Sequence, residues 1–245
     1  MMLTIEGLEK RYPSGLKALD QVDLNIAEGS FTSIVGPSGC GKSTLLRLIA
    51  ELDMPTAGRI AGRPDSIGLV FQDATLMPWA DVETNVYLPL RLVGVARKDA
   101  QPRIDEALAL VGLSDFHKSY PRALSGGMRM RVSIARAIVT RPRLLLMDEP
   151  FAALDEITRN KLNDDLLRLW REQGFTTIFI THSVFESVYL STDIAIMTAR
   201  PGHILAHHRV GGPVVRGGGF RADPVYLEAC RAVSADLERA IGAAA

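Results

Sequence analysis

Two stretches of this 245-residue chain each have the residue types and spacing to hold an anion. The first, GPSGCGKST, runs from Gly36 to Thr44. Gly36, four further residues, then Gly41, Lys42 and Ser43 is the spacing of a phosphate loop. The glycines let backbone N–H groups turn inward, the lysine reaches the outer phosphates, and the serine hydroxyl is a Mg²⁺ ligand. Cys40 lies inside the loop with no base at an obvious spacing, so it reads as a small filler rather than a nucleophile. The second stretch is ALSGGMRMR, residues 123–131. Ser125, Gly126 and Gly127 fall where a helix begins, and the free N–H groups and positive dipole end there favour an anion. From 116 to 147 there is no Asp or Glu, while Lys118, Arg122, Arg129, Arg131, Arg136, Arg141 and Arg143 occur. A nucleic-acid face is disfavoured, because only Phe116 and Tyr120 offer stacking in that stretch.

A third group of residues supplies acid–base chemistry. The apolar run LLLM places Asp148 at a strand end, where it can hold the water shell of Mg²⁺. Glu149 then stands one residue further, where a carboxylate orients or deprotonates an attacking water. His182 ends the run FITH and is expected to touch a terminal phosphate or that water. The other histidines, His117, His203, His207 and His208, read as structural; the last two are adjacent and would face opposite sides of a strand.

These residues need elements to position them. FTSIV (31–35) reads as a strand entering the glycine loop, and KSTLLRLIAEL (42–52) as the helix leaving it. SIGLVFQ (66–72), RLLLMDE (143–149) and TTIFITH (176–182) read as further strands. Residues 83–140 read as mainly helical. A helix over 156–172 carries Leu162, Leu166, Leu169 and Trp170 on one face and stops at Gly174. TDIAIMTARPGHILAHH reads as two strands around an Arg-Pro-Gly turn, and VGGPVVRGGGF (210–220) as a flexible linker. A last helix starts near Asp223 and Pro224, with Leu227, Cys230, Val233, Leu237 and Ile241 as the stripe that packs on the body. Strands alternating with helices imply a largely parallel, helix-covered sheet, whose ligands sit at the carboxyl ends of its strands. Gly36, Gln72, Asp148 with Glu149, and His182 stand at such ends.

Bulk properties narrow the class. Apolar residues make up 47% of the chain, enough for a sizeable core. The 28 basic residues balance 28 acidic ones, so net charge steers the molecule to neither nucleic acid nor anionic lipid. The two cysteines, Cys40 and Cys230, lack the spacing of a zinc site or a disulfide framework and point to a reducing, cytosolic setting. The N-terminal stretch is charged where a signal peptide is apolar, and no apolar run approaches the ~20 residues of a membrane span.

The chain from Leu3 to about Arg209 resembles the ATP-binding subunit of an ABC transporter. GPSGCGKST is similar to the family's Walker A, LLLMDEP to its Walker B and LSGGM to its signature; Gln72 matches the Q-loop, Asp155 in FAALD the D-loop, His182 the switch histidine and Tyr12 the aromatic that stacks on adenine. The resemblance implies an α/β P-loop NTPase (RecA-like) core with a mainly parallel sheet, an antiparallel β subdomain and a helical signature subdomain. It implies a nucleotide-binding domain over 1–210, with the helical subdomain inserted at about 80–137, then a linker and C-terminal helix over 211–245. It implies ATP contacts from Tyr12, Gly36, Pro37, Ser38, Gly39, Cys40, Gly41, Lys42, Ser43 and Thr44, and from Ser125, Gly126, Gly127 and Asp155. Mg²⁺ falls to Ser43, Gln72 and Asp148, and catalysis to Glu149, His182 and Gln72. Two copies pair head to tail, so the signature of one closes on the nucleotide of the other, which explains two anion sites in one chain. The departures are Glu51 in AEL, where many relatives have AGL, and Met128 and Met130, where glutamines are frequent. Methionine lacks glutamine's amide hydrogen bonds.

FAALDEITR and TLMPWADVETNV are similar to the nitrate, sulfonate and taurine importer group, which includes importers of pyrimidine thiamine precursors. That resemblance implies integral-membrane permease subunits as partners, an extracytoplasmic substrate-binding protein acting through them, no nucleic acid, and a position on the cytoplasmic face of the inner membrane. Leu76, Met77, Pro78 and Trp79 either line a groove for a permease helix or pack inside the helical lobe. The rival readings are an ABC exporter, a soluble ABC ATPase acting on DNA or ribosomes, and a P-loop kinase or GTPase. The soluble ATPase lacks its tandem cassettes or coiled-coil insertions here. NKLN at 160–163 lacks the Asp of a guanine clamp, and a kinase has no need of LSGG.

Overall fold

The computed structural model describes residues 2–212 and 216–242. In chain order the elements are β1 (Leu3–Arg11), β2 (Lys17–Ile26), β3 (Phe31–Val35), α1 (Lys42–Ile49), β4 (Ala57–Ala61), β5 (Ile67–Val70), α2 (Val82–Leu92), α3 (Arg97–Leu110), α4 (Gly126–Ile138), β6 (Leu144–Asp148), α5 (Glu156–Gln173), β7 (Thr176–Thr181), α6 (Val184–Leu190), β8 (Asp193–Met197), β9 (Ile204–Arg209) and α7 (Pro224–Gly242). They form two compact units, Met1–Asp65 with Gly174–Ala245, and Ser66–Gln173. Among the described residues no helix is long and apolar enough to cross a membrane.

In the first unit the strands run in the order β7-β3-β8-β9. β3 is parallel to both β7 and β8, with Ile34 opposite Ile180 and Ala195, and β9 returns antiparallel to β8. Every residue of β3 and β7 is buried, as expected for central parallel strands covered on both faces. Val35 pairs with Thr181, so the chain leaves both strands at one edge, into Gly36 and His182. A second sheet, β2-β1-β4, is antiparallel. The resemblance implied it, and a residue-level signal was also present: Val22, Leu24 and Ile26 are buried while Gln21, Asp23 and Asn25 point to solvent, a period of two.

Three expectations shift. The helix after the glycine loop ends at Ile49 rather than at residue 52. The Glu51 N–H donates to the Leu48 carbonyl and the Leu52 N–H to the Arg47 carbonyl, closing a Schellman turn with Glu51 at φ 58. Glycine is the usual residue there, and Arg63 ties the side chain in place by an ion pair with Glu51 and a hydrogen bond to the Leu48 carbonyl. In α7 the buried face is Tyr226, Cys230, Val233 and Ala240, whereas Leu227 and Ile241 are exposed. The face follows i, i+4 and i+7 from Tyr226, and Leu227 sits one residue, about 100°, off it. The linker reading covered residues 213–215, which lie outside the described residues. Beyond them the chain is packed, not loose: Arg216 donates to the carbonyls of Val188, Tyr189 and Ser191, and Phe220 is buried beside Tyr189 and Tyr226.

In the second unit β5 and β6 are parallel, with Val70 opposite Met147, and carry the chain to Gln72 and Asp148 at a common edge. Helices α2 to α5 complete the unit. Asp81 caps α2 by accepting from the Thr84 N–H at 2.8 Å. Leu162, Leu166 and Leu169 of α5 are buried as their spacing predicts, and Trp170 is half-buried.

Glu83, in the first turn of α2, is buried and ties three segments together. It pairs with Arg97, with Lys118 at 3.1 Å and with His117 at 3.4 Å. Burial pushes its carboxyl up, but hydrogen bonds and charge from Lys118 and Arg97 outweigh that and hold it below the usual range. A depressed folded-state value means stability that is present at neutral pH and lost as pH falls through that value. The Glu83→Gln variant should therefore be less stable than the parent at pH 7, and the gap should shrink as pH falls below the usual carboxylate range, about 4. Urea melts across that range check this; a gap independent of pH would refute it.

Candidate functional site

The first unit carries the glycine loop. β3 delivers the chain to Gly36, and α1 begins at Lys42. Gly41 sits at φ 110, and a Cβ there would lie 2.7 Å from Leu19 Cδ2 and 2.9 Å from the Ala18 carbonyl oxygen. Only glycine fits on both counts. Lys42 is 5% exposed, and its ammonium donates to the carbonyls of Gly36 at 2.8 Å and Pro37 at 3.0 Å. A buried cation requires such oxygens, and phosphate oxygens are stronger acceptors for the same donor. Cys40 is buried, and burial pushes its thiol up despite the nearby Lys42 charge, which disfavours the reactive thiolate.

Tyr12 is half-buried, with its hydroxyl 3.2 Å from Thr44 Oγ1 and the Lys10 ammonium 5.2 Å from its ring centroid. Lys10 is itself fixed by Asp53 at 2.5 Å and the Met54 carbonyl at 2.7 Å. The ring is thus tethered at its hydroxyl to the end of the phosphate loop. His182 is exposed, directly after β7. Its neighbours are fixed: Thr181 donates to Glu186 Oε2 at 2.6 Å, and Ser183 caps α6 through the Glu186 N–H.

The second unit carries the acids and the signature. Asp148 ends β6, and Glu149 follows at φ 46, a left-handed conformation that costs a non-glycine residue roughly 1–2 kcal/mol. Both are half-buried. Gln72 is exposed just beyond β5. Ser125 caps α4, accepting from the Met128 N–H at 3.2 Å, so Gly126 and Gly127 occupy the first turn as expected. Asp155 accepts from the Thr158 N–H at 3.0 Å, and that bond holds its carboxyl below the usual range.

Part of the basic stretch is engaged inside the helical unit. Arg131 donates to the Val111 carbonyl and Asp165, Arg136 to the carbonyls of Ala74 and Thr75, and Arg141 to Glu106. Lys118 pairs with Glu83. These four cations hold the helical unit together; Arg122 and Arg129 stay exposed beside the signature, with its N–H groups and helix dipole.

One important residue carried no signal. Asn85 is fully buried in α2, where an asparagine reads as surface. It accepts from the Met77 N–H at 2.8 Å and donates to the carbonyls of Met77, Ala80 and Asp81. That set of bonds shapes the loop before α2 and leaves Trp79 77% exposed, with Leu76 and Met77 half-buried. Packing of Trp79 inside the helical lobe is thereby excluded.

A parallel sheet whose strand ends into a glycine loop around a buried lysine defines a P-loop nucleotide-binding protein. The ABC transporter family profile matches residues 19–152. The aliphatic sulfonates import ATP-binding protein of Bacillus licheniformis is 43% identical over 92% of this chain and 90% of its own length. The taurine import ATP-binding protein of Rhizobium johnstonii is 44% identical over 80% of this chain and 78% of its own. Among solved structures, an ATP-binding cassette dimer in a post-hydrolysis state with ADP and Pi superposes with a TM-score of 0.75 at 34% identity, covering 86% of this chain and all of that one. A Clostridium perfringens component of an ABC transporter complex superposes with a TM-score of 0.78 at 29% identity, covering 85% and 88%. The chain belongs to the ABC transporter family, among its ATP-binding subunits.

A Gly41→Ala substitution should destabilise the fold by about 1–3 kcal/mol and abolish ATP binding. Denaturant melts and nucleotide titration check it; parental values in both would show that the loop accommodates a Cβ.

Proposed function

We propose that the chain is the ATP-hydrolysing subunit of an importer of a small solute, of the nitrate, sulfonate, taurine or pyrimidine-precursor type. The observation that carries this reading is the buried Lys42 ammonium in the glycine loop of an ABC family chain. The import names of its relatives support the direction of transport. On this reading residues 1–210 form the nucleotide-binding domain, with the helical subdomain inserted at about 80–137, and 211–245 follow as the C-terminal extension.

ATP enters by exchange. Lys42 gives up the carbonyls of Gly36 and Pro37 for the outer phosphates, and the loop N–H groups of 38–44 surround them. Tyr12 stacks on adenine. The donor set offered to the metal, a Ser43 hydroxyl, a Gln72 amide oxygen and an Asp148 carboxylate, is all hard oxygen, which suits Mg²⁺. Among the described residues no cluster of three or more His, Cys, Asp or Glu forms a dedicated metal cage. When bound, Mg²⁺ neutralises the charge of the phosphate chain. Glu149 orients or deprotonates the attacking water, and His182 and Gln72 fix the terminal phosphate and that water.

The second anion site serves another copy. Ser125 Oγ and the N–H groups of Gly126 and Gly127 contact the terminal phosphate held by the partner's loop, and Asp155 lies at the same junction. ATP then favours the closed dimer because it binds both copies, and hydrolysis releases them. The dimeric cassette among the solved structures supports this arrangement. Trp79 and its neighbours receive the permease on the cytoplasmic face of the inner membrane, and a substrate-binding protein acts through the permease from the other side.

Glu149→Gln should cut hydrolysis by about 10²–10⁴-fold and leave an ATP-dependent dimer visible by light scattering; a monomer at saturating ATP would refute the shared site. Trp79→Ala should leave thermal stability within about 0.5 kcal/mol and abolish co-purification with the permease; an intact complex would refute the docking role.

A further inference from the structure

We propose that the turn joining β8 to β9, through Arg200 and Gly202, is a positioning device that sets the ATP affinity of the phosphate loop. It rests on the reading of residues 36–44 as the phosphate site. The turn is closed by its own hydrogen bonds. The Thr198 N–H donates to the His203 carbonyl, and Thr198 Oγ1 accepts from the His203 N–H and lies 3.0 Å from His203 Nδ1. Its tip is stitched to β2, with the Gly202 N–H on the Ala18 carbonyl and the Asp20 N–H on the Gly202 carbonyl, both at 3.0 Å.

From that base the turn grips two successive peptide groups of the loop. Arg200 donates from Nε at 3.0 Å and from Nη2 at 2.7 Å to the Gly39 carbonyl. Gly202 lies against the next carbonyl: a Cβ there would stand 2.1 Å from the Cys40 oxygen. The Gly39 carbonyl and the Cys40 N–H belong to one planar trans peptide, so they point in opposite directions. Drawing the carbonyl out toward the guanidinium therefore turns the Cys40 N–H into the loop. It now meets the Pro37 carbonyl at a long 3.3 Å, and Lys42 donates to the same carbonyl. When phosphate takes over those donors, the internal bonds that shape the loop are given up. The Arg200 and Gly202 contacts remain, because they approach from outside, and they keep the N–H aimed inward. Arg200 acts through the loop's Gly39 carbonyl, which makes it a positioning residue. Its exposed charge adds little by itself; the two-pronged hydrogen bond to one oxygen is the working contact.

The test compares the full chain with Arg200→Ala, Arg200→Lys, Gly202→Ala and Lys42→Ala, reading equilibrium binding of a fluorescent ATP analogue and the kcat and KM of ATP hydrolysis. Arg200→Ala should raise Kd and KM about tenfold with kcat within about twofold. Arg200→Lys should recover part of the affinity, since an ammonium supplies charge without the fork. Gly202→Ala, pressing on the Cys40 carbonyl from the same side, should also raise Kd. Lys42→Ala should abolish binding. Unchanged Kd and KM in Arg200→Ala, with binding lost in Lys42→Ala, overturns the positioning role and leaves the phosphate site standing. A fall in kcat alone overturns it as well. Absence of ATP binding by the unaltered chain overturns both.

Discussion

A buried ammonium needs oxygen partners, and the first unit is arranged to give them to Lys42. Its partners are main-chain carbonyls at Gly36 and Pro37, which requires the loop to fold back over the first residue of α1. That fold-back passes through Gly41 in a conformation closed to side chains, against Leu19 and Ala18 of β2. The loop starts where β3 stops, so the sheet sets its position. The carbonyls also make the loop exchangeable. They satisfy the cation without phosphate, and they are weaker partners than phosphate oxygens, so ligand binding replaces bonds and strands no buried charge.

The second unit solves a different problem, that of presenting polar N–H groups and one apolar side chain from a helical body. Arg131 and Arg136 are turned to internal carbonyls and a carboxylate, and Glu83 collects three basic partners. Asn85 satisfies the loop before α2 from within. With the backbone of that loop bonded internally, Trp79 stays outside, available to a partner.

Two glutamates with left-handed backbones show how context decides what strain means. Glu51 sits at a helix end where its N–H and the next bond back into α1, and Arg63 pairs with its side chain. The local bonds offset the conformational cost, and the position terminates a helix. Glu149 takes the same conformation after a buried strand, next to Asp148. There the position ends no helix and directly follows the strand end that carries Asp148.

Much of this was legible in the sequence because it depends on neighbours along the chain. The glycine spacing from 36 to 43, the buried strands, the Ser125 cap and the leucine face of α5 are local patterns, and each appears where the spacing put it. The family followed from the order of those motifs. Other features depend on which distant segment arrives at a given surface, and only the tertiary structure decided them. In the positive run at 116–147, Arg131, Arg136 and Arg141 are engaged by Val111, Asp165, Ala74, Thr75 and Glu106, which no spacing along the chain announces. The α7 stripe holds at Cys230 and Val233, but its ends are Tyr226 and Ala240 rather than Leu227 and Ile241, because the packing partner, not the residue types, selects the face. Arg200 reaches Gly39 across 161 positions of chain. Sequence spacing encodes short-range geometry; contacts between remote segments are set by the packing of the whole sheet and its turns.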